Sequence, residues 1–228
     1  MSGFAEKIKA LFWNNPFRTV SNRLLFGNSR QISGTGNTIR IGRTLLTNTR
    51  IVIRGDNNSV RFGDGIRLFD VTVLIRGDNC EIDFCGPGYF SGRLRCDGCK
   101  SVIRIGAGTT AEEARVTAGE GTAVLIGNDC ALSSGVVVQS GDSHAIRDGN
   151  SGARINPAHS VRIGRHVWIA KNAIVLKGAV IGAGAVVGAG SVVTQSSSVG
   201  TGSIVVGSPA SMVRQNIKWT REIQDTAE

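Results

Sequence analysis

From residue 163 onward the chain divides into sixes: IGRHVW, IAKNAI, VLKGAV, IGAGAV, VGAGSV, VTQSSS, VGTGSI, VVGSPA. The first place is held by Ile163, Ile169, Val175, Ile181, Val187, Val193, Val199 and Val205, each aliphatic and β-branched. The fifth place is small at Ala173, Ala179, Ala185, Ser191, Ser197 and Ser203. A repeat at fixed period constrains a fold more than any single motif, because each unit must stack on its neighbours to bury its apolar face. Side chains alternate along a strand, so the last, first and second places of adjoining hexads form one short strand pointing out, in, out. The aliphatic first place fills an interior, and the small residues near the fourth and fifth places let the chain turn a corner. Three such sides close a triangular coil, so residues three hexads apart stand directly above one another. Successive coils lie about 4.8 Å apart.

The rest of the chain follows the same plan more loosely. IRIG at 39–42, VRFG at 60–63, IRIG at 103–106 and LIG at 125–127 recur about every 21 residues, and IRGDN occurs at 53–57 and again at 75–79. These read as coils with longer corners, turned by Gly-Asp and Asn-Asn. With 31 glycines and 41% hydrophobic residues, the composition suits many short strands and tight corners rather than disorder. One all-β parallel β-helix is expected over residues 31–210. Outside it, Phe4, Ile8, Leu11 and Phe12 recur at helical spacing with Lys7 and Lys9 opposite, so residues 1–30 are expected to form a helical cap. The alternative for that segment is a basic amphipathic helix resting peripherally on an anionic membrane. Residues 211–228 are expected to close the chain with a short helix.

The net charge of +9 attracts anions. The basic residues are scattered singly and not interleaved with aromatics, which argues against nucleic acid as partner. No apolar stretch approaches the roughly 20 residues that span a bilayer, and the start lacks the apolar region of a signal peptide. A cytoplasmic protein is expected, with Cys80, Cys85, Cys96, Cys99 and Cys130 as reduced thiols.

The repeat breaks once. IGNDCA, LSSGVV and VQSGDS fill a coil from 126 to 143, and the next register begins at 163. The residues between, 144–162, must loop outward, where function usually sits on a rigid repeat. His144 stands at the root of that loop; the other histidines are His159 and His166. A neutral imidazole can take a proton from a hydroxyl near neutral pH, although position alone also allows an idle loop histidine. Trp168 ends its hexad and therefore faces outward, stacked with Val186 and Ile204. Ala170 faces the same way above Gly188, giving a side that is apolar at one edge and nearly bare at the other. Small residues allow close approach of an extended ligand, and a tryptophan supplies a flat surface and an N–H donor. The same stripe also suits burial against another subunit. Ile174 over Val192, and Val180, are outward aliphatics as well, so a closed cyclic assembly, a trimer, is expected.

The run IGRHVWIAKNAIVLKGAVIGAGAVVGAGSVVT followed by VVGSPASMV resembles the hexapeptide-repeat acetyltransferases of bacterial surface-polysaccharide synthesis. DSHAI, the loop carrying RIN, HVWI and a late NIKW are together similar to capsular and sialic-acid O-acetyltransferases. The resemblance covers residues 126–219; residues 31–125 share the architecture alone. It implies a left-handed helix, a homotrimer with sites between subunits, acetyl-CoA along the groove as donor, and no metal. It also implies direct transfer of acetyl to a saccharide hydroxyl, with His144 as general base and Trp168 lining the site. Ala170 replaces the glycine usual after VWI. Asp142 is a candidate to orient the imidazole, N–H groups near Trp168 or Ala170 to hold an oxyanion, and Lys177, Arg214 and Lys218 to meet the donor's phosphates. Thr194 stands where some relatives place a bulkier side chain, and the basic charge points to an acidic acceptor.

Three other readings compete. A γ-carbonic-anhydrase-like zinc enzyme needs a histidine pair five apart, whereas the gaps here are 15 and 7. Cysteine-bound zinc would draw on CDGC at 96–99 with Cys80 and Cys85, but a strong signal has two close pairs at matched spacing. A non-catalytic assembly or binding solenoid explains the repeat, but not an excised loop whose histidine lies near an outward tryptophan.

Overall fold

The computed structural model describes residues 27–222, and the expected helix at 4–13 lies outside them. The described chain is a parallel β-solenoid of stacked three-walled coils, with no helix among the described residues. Its three walls follow from the pairings. Wall 1 stacks Ala131–Leu132, Trp168–Ile169, Val186–Val187 and Ile204–Gly207. Wall 2 stacks Val137–Gln139, Ile174–Val175 and Val192–Val193. Wall 3 stacks Ala123–Ile126, Val161–Ile163 and Val180–Ile181.

Coil length is read directly from register. On wall 2, Arg50 pairs with Thr72, Thr72 with Arg93, Arg93 with Arg115 and Arg115 with Val137, each step three or four places longer than three hexads. Ile174 pairs with Val192, a step of three hexads with nothing added. Between them, Val137 pairs with Ile174, a step that exceeds one hexapeptide coil by the length of the expected loop at 144–162. In the longer coils walls 1 and 2 are single bent strands, Ile66–Arg76, Gly88–Asp97 and Thr110–Gly119. The bend falls where register shifts between Leu68 and Val71 and between Ala111 and Ala114, at the left-handed residues Asp70, Gly92 and Glu113.

The interior is a set of ladders. Phe62, Phe84, Ile105, Ile126, Ile163 and Ile181 lie in register down wall 3, and all are buried. All eight first-place residues of the hexads, from Ile163 to Val205, are buried too. Side-chain size tracks coil size: Phe62, Phe84 and Phe90 fill the longer coils, while Val and Ala dominate the interior beyond residue 167. At the corner from wall 3 to wall 1 the chains approach closely. A Cβ on Gly164 would lie 2.7 Å from the backbone nitrogen of Ala183 in the next coil, so a side chain there would force the coils apart.

Among the described residues of 211–222 the expected C-terminal helix is not formed. Ala210–Arg214 is instead a strand antiparallel to Ile204–Gly207, covering the exposed edge of wall 1 where the parallel stack runs out. An edge with unpaired backbone groups is satisfied better by a reversing strand than by a helix, which would leave it open. Residues 215–222 continue in irregular conformation. The cysteines also separate: Cys96 is buried within the prism, where burial pushes its thiol pKa up, while Cys99 is exposed and donates to Asp78. A thiol inside the prism and one on an exposed turn do not converge on one metal ion.

Candidate active site

The wall 2 strand Val137–Gln139 is followed by Ser140, which is buried and closes the prism on both sides of the excursion. Its hydroxyl accepts the Gly119 N–H at 3.0 Å, and its carbonyl accepts the His159 N–H at 2.9 Å. The chain therefore leaves after Ser140 and has rejoined the wall by His159, a few residues earlier than the expected boundary at 162. Between these points the loop is a small hairpin. Ile155 donates to the Ile146 carbonyl at 2.9 Å, Asp148 donates to Ala153 at 2.8 Å, and Arg147 bridges Arg154 antiparallel. The Asp148 carboxylate ties its turn together by accepting from the Asn150 and Ser151 backbone.

Asn156, only 6% exposed, organises the loop root. Its amide donates to the His144 carbonyl at 2.8 Å and to Asp142 at 2.9 Å, and its side-chain oxygen accepts the Ile146 N–H at 2.6 Å. Lys177, one coil further along the same corner, donates to Asp142 at 2.5 Å. Arg154 forks onto Glu120 at 2.6 and 2.8 Å and reaches the Asn156 carbonyl. The Lys177 ammonium holds the Asp142 carboxyl below the usual carboxylate range, and Arg154 does the same for Glu120. His144 thus has a backbone clamped on both sides, while its imidazole is exposed and makes no hydrogen bond among the described residues. Two expectations need correction. Asp142 does not meet the imidazole: its Oδ2 accepts from both Lys177 and Asn156; and Lys177 is not a free cation for a phosphate, because Asp142 already neutralises it.

Wall 1 carries the other group. Trp168 is 40% exposed and its indole N–H donates to the Ser133 hydroxyl at 3.2 Å. The backbone N–H groups of Trp168 and Ala170 donate to Ala185 and Val187 in the next coil, so the ladder consumes both and neither is left for an oxyanion. The indole N–H, bound only to a surface hydroxyl, is the donor this side can redirect. Beyond Trp168 the column continues with Val186, buried, and Ile204, half-buried. Ala170 and Gly188 form the bare edge; at its far end Val206 sits close enough that a Cβ on Gly188 would meet it at 2.7 Å. Arg214 ends the last strand beside Ile204, and Arg214 and Lys218 are both exposed.

The predicted residues therefore fall into two groups. His144, Asp142 and Lys177 share the corner between walls 2 and 3, whereas Trp168, Ala170, Gly188 and Arg214 share wall 1, with wall 3 between the groups. The two groups lie in neighbouring turns of the prism. The loop leaves from the coil of Val137–Gln139, and Trp168 is in the coil stacked directly on it, pairing with Ala131. Asn156 and Trp219, each inside a motif singled out in the sequence, prove to be structural partners of His144 and of the Trp168 region. Asp129 and Arg221 gave no signal there.

The model of the Bacterial transferase hexapeptide (six repeats) family matches residues 160–195. Among solved structures, the chain is 31% identical to the polysialic acid O-acetyltransferase OatWY, with a TM-score of 0.80 over 88% of this chain and 94% of that one. The chain belongs to the hexapeptide-repeat acetyltransferase family. A second member of known structure, the polySia specific acetyltransferase NeuO, is 28% identical with a TM-score of 0.79, covering 89% of this chain and 85% of that one. Among curated relatives, the polysialic acid O-acetyltransferase of Neisseria meningitidis is 33% identical over 139 residues, 60% of this chain. The chain spans 65% of that relative's length, and 31% of a polysialic acid O-acetyltransferase of Escherichia coli O1:K1 / APEC to which it is 41% identical over 98 residues.

Proposed function

We propose that this family member transfers acetyl from acetyl-CoA to a hydroxyl of an acidic bacterial capsular saccharide, polysialic acid being the chemistry its relatives' names supply. The observation that carries this reading is the division of the site into two half-sites in neighbouring turns of the prism. Rotation about an axis parallel to the prism preserves height, so a cyclic assembly brings the His144 corner of one copy against the Trp168 wall of the next. A homotrimer is the assembly proposed.

In that setting His144 takes the proton of the acceptor hydroxyl as its oxygen attacks the thioester carbonyl carbon. The indole N–H of Trp168, exchanged from Ser133, donates to the oxyanion that forms. The C–S bond then breaks, and the imidazolium returns the proton to the departing CoA thiolate. The flat edge at Ala170 and Gly188 lets the pantetheine arm lie against backbone, and Arg214 offers a charge for the phosphates. Net charge of +9 favours a polyanionic acceptor in encounter.

The test is a transfer assay with acetyl-CoA and matched acidic and neutral glycans. Thiol release with acidic glycans is expected, lost by about 100-fold or more in His144→Ala as befits removal of a general base. A preference for neutral glycans, or full turnover by His144→Ala, overturns the reading.

A further inference from the structure

The segment after the last strand crosses the corner between walls 3 and 1 and descends over the coils as a strap. Ile217 donates to Gly202 in the last coil at 3.0 Å. The Trp219 indole N–H donates to the His166 carbonyl at 2.9 Å. Arg221 spreads over two earlier coils, donating to Asp129 at 3.0 Å, the Cys130 carbonyl at 2.8 Å, Thr110 at 2.9 Å and the Gly108 carbonyl at 3.1 Å.

His166 is the hub. It occupies a left-handed corner position, φ 53°, that is glycine in the two coils above, Gly184 and Gly202; below it stands Asp129, left-handed as well. A side chain there is strained, and it is retained where it has partners that over-determine it. Here the His166 Nδ1 faces the Asp129 carboxylate at 2.7 Å and its Nε2 faces the Trp219 carbonyl at 3.0 Å. Both are acceptors, so only the doubly protonated ring satisfies both. The imidazole also stacks on Trp219, with centroids 4.2 Å apart and planes within 9°. The other neighbour of Trp219 is Trp168, at 6.1 Å and a tilt of 44°. Arg221 is the further charged group at this cluster, 6.0 Å from the Trp219 ring.

We infer that Trp219 is a positioning residue for Trp168: the strap, anchored through His166 and Arg221, holds one side of the Trp168 indole while Ser133 holds its N–H. This rests on the reading of wall 1 as the donor site. A rotating indole would spend part of its time over the bare edge where the donor must lie, so the strap raises affinity for acetyl-CoA without touching the reacting atoms.

The experiment measures CoA binding by calorimetry in a His144→Ala background, so that turnover plays no part, together with thermal unfolding and tryptophan emission. Trp219→Leu is expected to weaken CoA binding roughly two- to tenfold, the size of one aromatic pair contact. Trp219→Phe keeps the stacked ring and is expected to recover most of it. Arg221→Ala, which frees the strap without altering either tryptophan, is expected to weaken binding and shift emission in the same direction. If Trp168→Ala weakens CoA binding while Trp219→Leu and Arg221→Ala leave it unchanged, the strap is structural only and the inference falls. If Trp168→Ala itself has no effect, the donor-site reading falls instead.

Discussion

One side-chain amide and one hydroxyl decide how His144 and Trp168 are held. Asn156 clamps the backbone of His144 rather than its ring, and Ser133 takes the indole N–H of Trp168, so the imidazole is placed by its loop root and the indole by its wall. Asp142 joins the first arrangement through Lys177, and this gives a pH signature. The folded carboxyl titrates below its unfolded value, so the stability it contributes is fully present above the ordinary carboxylate range and is lost as pH falls through the lowered value. Asp142→Asn is expected to cost about 1 kcal/mol at neutral pH, roughly 2–4 °C in melting temperature. That gap is expected to narrow steadily as melts are repeated on the acid side of the ordinary carboxylate range. A gap that widens on acidification would show that Asp142 is stabilised by something other than the Lys177 ammonium.

At the scale of the elements, strand interiors carry the stability. Ile169 is fully buried in the wall 1 ladder between Leu132 and Val187, and Ile169→Ala leaves a cavity that rigid neighbouring coils cannot fill. A loss of about 2–4 kcal/mol is expected, measured by denaturant unfolding; a loss under about 1 kcal/mol would mean that the prism wall collapses around the gap. Those interior positions were legible in the sequence because the hexad reports, residue by residue, which side chains point inward. Loop excision was legible for the same reason, since a prism of fixed circumference cannot absorb the extra length between Val137 and Ile174. Other elements were not. The strand Ala210–Arg214 has no period of its own, and what makes it a strand is the unpaired edge of Ile204–Gly207 beside it. Likewise, Asp142 beside the DSHAI histidine suggested a carboxylate–imidazole pair, but its partner is Lys177, 35 residues on, brought there by stacking. Arg221 reaches Asp129 across 92 residues, and periodicity says nothing about which polar groups meet at that range.

At the largest scale, the described residues form a prism that keeps His144 and the aromatic wall apart. His144 and Trp168 stand in neighbouring turns but on opposite sides of wall 3, as the long step from Val137 to Ile174 and the pairing of Trp168 with Ala131 require. A single copy of the described residues brings neither to the other. Val180 on wall 3 and Ile146 and Ile155 on the hairpin are all more than half exposed, aliphatic surface of the kind that interfaces cover. The central claim is that each site is completed by two copies, and the direct measurement is complementation between His144→Ala and Trp168→Ala. Each is expected to be inactive alone. Co-expressed and purified as a mixed assembly, they regenerate intact sites wherever the histidine of one copy meets the tryptophan of another, so roughly a quarter of wild-type acetyl transfer is expected to return for random assembly of equal amounts. Mixed assemblies as inactive as either variant alone would contradict the account, because both groups would then have to act from the same chain.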